Sequence, residues 1–453
     1  MYDFLNFKKN IVIFLFSVSI FLSFVNFYFL ELRFFYLLTI LFIFLDKNIF
    51  KKKFFNLAKI STIIFFTVLL HLFINNLFFK EIFFQFETFI QIFIISLSVF
   101  IIYYFKKVLL SNLRKIFDFF LYYFLIAILI YSVIDQGILF DTLYKCDLGF
   151  FYYTRFIFNE NSHFAIIAIP VILNFIFNIN YYFKNKILFI LNLVFIFFAF
   201  GNFSLTFYLG SLFSIILIIV CYKNLNKLKI SFLIIFILFT NIFLIYGSNI
   251  NKFLSFDKNE NCISQSENIV KKYNLQSDQN LFKGNVETPK EKLKNIFFKD
   301  VYNLSIGIHL YSIYVAKEAL IQNPFGYGIH NYRNYRNLID KNIKKEGTGL
   351  NEMLVFREAY MPKIFAPVIN FNLNSGSNNF SKILVEFGIF GILLLIFYII
   401  VIFSRKVPTN IKFLLLPTIF IQLFIRGTGY FNSGFLIISI FLIIIMIDRV
   451  FKK

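Results

Sequence analysis

The sequence predicts an all-α polytopic membrane protein of about twelve transmembrane helices, with one large loop on the outer side of the membrane. Three observations predict it. Of 453 residues, 59% are hydrophobic, 73 are Phe, and the mean hydropathy is +0.75. That is well above the apolar share of roughly 45–50% in soluble domains. The apolar residues also fall in blocks about as long as a bilayer is thick, repeated from end to end. Finally, Lys residues gather at block ends in alternate gaps, the pattern of the positive-inside rule.

Reading apolar blocks between charges places spans near 11–30, 34–50, 57–78, 89–105, 116–135, 163–183, 187–203, 205–221, 230–247, 379–403, 413–425 and 434–448. The second and eleventh hold only short apolar cores. No small-residue cleavage site follows 11–30, so this helix is expected to persist as a span. With the N-terminus inside, Lys8, Lys9, Lys51, Lys52, Lys53, Lys106, Lys107, Arg114, Lys115, Lys184, Lys186, Lys223, Arg405, Lys406, Lys412 and Lys453 all fall on the cytoplasmic face. Both termini are therefore expected in the cytoplasm. The chain divides into an N-terminal bundle over 1–247 with about nine helices, an outer loop over 248–378, and about three C-terminal helices over 379–453.

The formal charge of +21 is spread over small clusters at block ends and forms no continuous basic surface, so it points to topology and not to nucleic acid. Cys146, Cys221 and Cys262 are too scattered for a zinc or redox motif, and no metal site is expected. Cys146 and Cys262 both fall in outer segments, which makes them a candidate disulfide pair. The Phe excess and 36 Lys against 9 Arg have the look of a coding bias, so most Phe is lipid-facing filler.

Within the loop, 259–289 has a polar composition that suits a flexible segment. The stretch 300–323 instead predicts a helix with His309, Ile313, Ala316 and Leu320 on one face, ended by Asn323-Pro324 and suited to lie on the membrane surface. Pro324-Phe325-Gly326-Tyr327-Gly328 predicts a turn whose glycines permit positive φ, without the Lys-Ser/Thr of a phosphate-binding loop. Neither an internal repeat nor matched broken helices are present, which weighs against a secondary transporter.

Arg is scarce, and six of the nine fall outside: Arg33, Arg155, Arg333, Arg336, Arg357 and Arg426. Guanidinium groups beside the bilayer suit a phosphate or diphosphate at headgroup level, because they bind it bidentately. Arg333 and Arg336, in the run begun by His330, would share a face if helical. In Asn159-Glu160-Asn161-Ser162-His163, Glu160 and His163 stand three apart at the mouth of a span and could act as acid, base or orienting pair. The same residues also suit a capped helix start. His309 is a further candidate base, although a His on an apolar face is more often simply packed, as expected for His71.

Several stretches resemble, in this order, the bacterial O-antigen polymerases and O-antigen ligases, the Wzy and WaaL proteins. They are Asn159–Ala165 opening a span, Asn323–Gly328 ending the loop helix, Asn378-Asn379-Phe380 leading through Glu386-Phe387-Gly388 to Gly391, and Arg426-Gly427-Thr428-Gly429-Tyr430-Phe431-Asn432 before the last helix. His309 stands where the family's loop helix usually carries Arg, and Ser377-Asn378 where it usually has His-Asn. The lost His and the Arg426 stretch are more polymerase-like than ligase-like.

The resemblance implies a metal-independent glycosyltransferase of the GT-C helical type, without cofactor, in the bacterial inner membrane. Its substrate would be an undecaprenyl-pyrophosphate-linked glycan, with the loop in the periplasm, membrane lipid around it and a chain-length regulator protein as partner. Polymerisation of lipid-linked repeat units is the first expectation. Ligation of the glycan to a lipid A-core acceptor and transport of the lipid-linked unit are the alternatives. The expected catalytic residues are Glu160, His163 and His309, with Arg155, His330, Arg333, Arg336, Asn378 and Arg426 binding substrate.

Overall fold

A computed structural model of the chain describes residues 2–22, 86–134, 161–201, 204–221, 229–239, 304–329, 331–337, 378–427 and 433–448, together with Ile242 and scattered positions between 59 and 73. The described residues are helical, with no strand among them, as the all-α reading expects. The helices are α1 (Tyr2–Leu22), α2 (Phe86–Ser111), α3 (Leu113–Ile134), α4 (Asn161–Phe177), α5 (Ile179–Lys184), α6 (Lys186–Gly201), α7 (Leu205–Cys221), α8 (Lys229–Phe239), α9 (Leu304–Gln322), α10 (Asn379–Phe387), α11 (Ile389–Phe403), α12 (Thr409–Phe420) and α13 (Ser433–Met446). A π-helical turn, Ile421–Ile425, continues α12.

Among the described residues no single helix is long and apolar enough to cross a membrane; α6 and α7 satisfy length and composition only as a bent pair. Local breaks explain part of this. The expected span 163–183 is divided at Asn178, leaving α4 with 17 residues. At 1.5 Å per residue that is ~26 Å, short of the ~30 Å hydrocarbon core. The expected span 379–403 is divided at Gly388, whose φ of +55° with ψ of −126° is a conformation that favours glycine.

The chain forms two compact units. The first takes in Met1–Leu70, Phe89–Phe256 and Ile396–Lys453, the second His71–Thr88 and Asp257–Leu395. The expected loop 248–378 thus contributes most of the second unit, which also draws in 71–88 and 379–395.

In the first unit α4 is the central helix, in contact with α3, α6, α7 and α12, and every residue from Phe164 to Ile176 is buried. Its surroundings are aromatic. Phe124 stacks on Phe164 at 5.0 Å and meets Phe195 edge-on at 4.9 Å, while Phe177 stacks on Phe413 at 4.9 Å. Helix α7 approaches closely because Gly210 leaves its place to the side chains of Ile169 and Ile421. The outer faces are also apolar. Ile126, Leu129 and Ile130 of α3, Ile187, Ile190 and Val194 of α6, and Leu209, Leu212, Ile216 and Ile219 of α7 are exposed at helical spacing, Leu129 by 65%.

Polar residues of this unit form small networks. Tyr182 donates to Asp118 Oδ1, Asn174 Nδ2 donates to the Tyr182 hydroxyl (2.8 Å), and Arg114 lies 3.9 Å from Asp118 and over the Tyr181 ring. Lys106 pairs with Asp448. Buried Lys412 donates to the Ile402 carbonyl (2.7 Å) at the C-terminal end of α11, where a cation satisfies an otherwise orphaned acceptor. Arg114, Lys106 and Lys412 all belong to the segments expected on the cytoplasmic face.

The second unit is built on α9 and α10, with a short helix over 332–337 beside them. Val315, Ala316, Ala319, Tyr332, Tyr335, Leu384 and Val385 form its core. The buried stripe of α9 is Ser312, Val315, Ala316 and Ala319, while Ile313, on the apolar face expected to suit the membrane surface, is 43% exposed. The helix is rotated toward its small residues because Ser312, Ala316 and Ala319 let another backbone come close. Hydrophobicity alone did not reveal that preference.

Candidate functional site

The second unit joins two of the stretches that carried the family resemblance. After α9, Asn323 closes the turn on itself: its Nδ2 donates to the Gly326 carbonyl (2.6 Å) and the Gly326 amide donates to the Asn323 carbonyl (2.9 Å). Gly326 and Gly328 both take positive φ, +83° and +87°, as the turn composition predicted. This backbone then bonds directly to the end of α10. The amides of Tyr327 and Gly328 donate to the Val385 and Glu386 carbonyls, both at 2.9 Å, and the Ile389 amide donates to the Pro324 carbonyl (2.8 Å). The fit leaves no room for Cβ atoms. One built on Gly326 would lie 2.5 Å from the Glu386 carbonyl oxygen, and one on Gly388 would lie 2.0 Å from that of Pro324. His71 adds to this unit by donating from Nε2 to the Phe325 carbonyl (3.0 Å) with its ring stacked on Phe387.

Charged groups lie inside this frame. Glu386 is fully buried, accepts from the Tyr332 amide through Oε1 (3.2 Å), and has Lys382, itself buried, 4.0 Å away one helical turn earlier. Burying charge is costly unless it is paired and hydrogen-bonded, so these residues must hold one arrangement. Arg336, on the short helix that Tyr332 begins, is buried, whereas Arg333 is exposed. Both lie on one short helix at the expected i, i+3 spacing, but with different exposure. An arginine three residues from a solvated one sits in the interior because the turn bonded to Glu386 fixes which side of 332–337 faces inward.

At the start of α10, Asn378 is the N-cap: its Oδ1 accepts from the Ser381 amide (2.7 Å), satisfying one of the helix's free N–H groups. The same amide group reaches α9. Asn378 Nδ2 donates to His309 Nδ1 (3.2 Å) and to Ser312 Oγ (3.1 Å), and the Ser312 hydroxyl donates to the His309 carbonyl (2.8 Å). His309 is half-buried, and desolvation lowers its pKa below the usual histidine value, which favours the neutral ring. Burial raises Tyr335, and more modestly Tyr327, above the usual phenol range, and the two rings stack at 4.2 Å.

The structure therefore brings His309, Asn378 and Arg336 into one unit. His163, in the first turn of α4, and Arg426, half-buried directly after the π turn, belong to the other unit. Glu160, Arg155 and His330 lie outside the described residues, as do Arg33, Arg357, Cys146 and Cys262. Sequence reasoning passed over Ser312, Ser381 and Lys382. The signals were present: Asn378 precedes Ser381 at N-cap spacing, and Lys382 precedes Glu386 by one turn. The unit thus holds Lys382, Arg336, Asn378 and His309 on short, tightly bonded elements. No family model matches the chain, and no curated protein or solved structure shows significant similarity to it.

Proposed function

We propose that the chain is an integral membrane glycosyltransferase that polymerises undecaprenyl-pyrophosphate-linked oligosaccharide repeat units on the periplasmic side of the inner membrane. The single observation that carries this reading is the bonding of Asn323–Gly328 to 385–389, with His309, Asn378, Arg336, Lys382 and Glu386 gathered in the same unit. A membrane setting is supported by α3, α6 and α7, whose exposed faces are as apolar as their buried ones; water would leave that surface uncovered, whereas lipid covers it. With about twelve spans and both termini inside, the Lys clusters and the loop 248–378 fall on opposite sides of the bilayer.

In the proposed reaction the hydroxyl of an acceptor sugar attacks the anomeric carbon of the donor glycan. The bond from that carbon to the diphosphate oxygen breaks, the new glycosidic bond forms, and the hydroxyl proton passes to a general base, for which Glu160 and His163 are the candidates. The diphosphate leaves with an added negative charge that Arg426, Arg155, Arg333 and Arg336 are suited to stabilise.

Deletion of the gene tests the proposal. Surface glycan should remain as single repeat units on its final carrier, without the ladder of longer chains. Arg426→Ala should act like the deletion, lowering transfer by about 10²–10³-fold as expected for loss of one preorganised donor, and Arg426→Lys should restore it only in part because Lys cannot bind bidentately. Long chains accumulating on the lipid carrier, with none on the core, would replace polymerase by ligase. Repeat units retained on the inner leaflet would indicate transport instead.

A further inference from the structure

We propose that Asn378 is a positioning residue that holds His309 as the tautomer protonated on Nε2, so that His309 offers the site a neutral hydrogen-bond donor and is not its general base. The geometry fixes the direction of each hydrogen bond in turn. The Ser381 amide can only donate, so the atom of Asn378 that it meets at 2.7 Å must be the carbonyl oxygen; flipping the side chain would set two donors against each other. The other atom is then the NH2 nitrogen, which can only donate and which meets two groups that can accept. One is Ser312 Oγ, whose own hydrogen goes to the His309 carbonyl. The other is His309 Nδ1 at 3.2 Å, which must accept and therefore carries no hydrogen. A neutral imidazole has one N–H, so the proton is on Nε2. Burial of His309 works in the same direction by disfavouring the charged ring.

A ring in this state can donate to a phosphate or carbonyl oxygen through Nε2. It cannot accept a proton there without first losing the one it has. Protonation at Nδ1 would break the bond to Asn378 and turn a helix cap against its own helix. His309, included above among the candidate bases, is thereby reassigned. The same donor type can serve where a developing oxyanion must be stabilised without adding full positive charge. The tautomer follows from the hydrogen bonds alone, while its consequence for transfer rests on the proposed function.

The test uses the full-length protein in detergent, labelled with 15N-histidine, near neutral pH. His309 is assigned among the four histidines by the signal lost in His309→Gln. Proton–nitrogen correlation through two bonds should show a proton-bearing Nε2 and a lone-pair Nδ1. Asn378→Asp preserves the cap, since Asp also accepts from the Ser381 amide, but it presents acceptors only; it should place a proton on Nδ1. A wild-type ring protonated on Nδ1, or an Asn378→Asp ring unchanged from wild type, would overturn the proposal. In repeat-unit transfer, His309→Gln keeps an N–H donor and should retain clearly more activity than His309→Ala, whose loss should be about 10²–10³-fold. Equal loss in both would indicate a base and overturn the donor role. If the wild-type chain transfers no repeat units at all, the proposed function fails, and the tautomer measurement still decides this inference.

Discussion

The two units are held together by different physics. In the first, several polar side chains bond within their own helix: Ser96 to the Ile92 carbonyl, Ser214 to that of Gly210 and Asn192 to that of Leu188, each four residues back. What joins its helices is mainly aromatic and aliphatic contact, non-directional and spread over many atoms. In the second unit the decisive bonds run between elements: the Tyr327 and Gly328 amides to the end of α10, the Tyr332 amide to Glu386, and Asn378 to α9. A bundle of the first kind tolerates substitution by sharing strain, whereas a frame of the second kind depends on a few positions that admit one residue type. Of the groups proposed above to act on substrate, Arg333 and Arg336 belong with the second kind, and His163 and Arg426 with the first.

The comparison is broken most directly at Gly388. Gly388→Ala needs a positive φ that alanine avoids and drives a methyl into the Pro324 carbonyl, so it should cost more than ~3 kcal/mol and abolish transfer. Thermal melting followed by circular dichroism, together with glycan chain length, measures it; a fully active, undiminished Gly388→Ala protein would show that the frame yields as easily as the bundle.

Tyr182→Phe probes a directional network inside the apolar bundle of the first unit. Removing the hydroxyl takes a donor from buried Asp118 and an acceptor from Asn174, and should cost about 1–3 kcal/mol in melting experiments with little change in glycan length. The smallest effect is expected at exposed Arg405, where Ala should alter stability by less than about 0.5 kcal/mol and leave transfer intact. Arg405 is a better neutral reference than Arg114, which faces the same side of the proposed topology but lies beside Asp118 and stacks on Tyr181.

The helical class was legible because hydrophobic length is a coarse, additive signal. The helices near 205–221 and 434–448, the loop helix and the glycine turn all lie where the sequence put them. What escaped were breaks and rotations. Asn178 and Gly388 interrupt runs whose composition is continuous, since a break depends on one residue's backbone and not on the average of twenty. The buried face of α9 escaped because small residues gain by proximity, which hydropathy undervalues. Of the candidate site, His309, Asn378 and Arg336 could be named from residue type, but the bonds that give them roles run 69 residues apart in sequence for His309 and Asn378. A spacing rule confined to one helix cannot see such a pair.

The π turn before Arg426 has a consequence of its own. The Arg426 amide bonds to the Ile421 carbonyl, five residues back, just after Pro417 has withheld one N–H from α12. Such a turn holds one residue more than an α-helix uses to reach the same height, so everything after it is rotated by about 100°, the angle one α-helical residue subtends. The heading of Arg426 is thus set by chain length as much as by side-chain identity. Within 421–425 one apolar residue can replace another with modest effect, but loss of a single residue would let the helix close in ordinary register and swing the guanidinium about a quarter turn around the axis. Selection acting on this segment would therefore conserve a count, and two sequences could share the site while agreeing at none of these five positions.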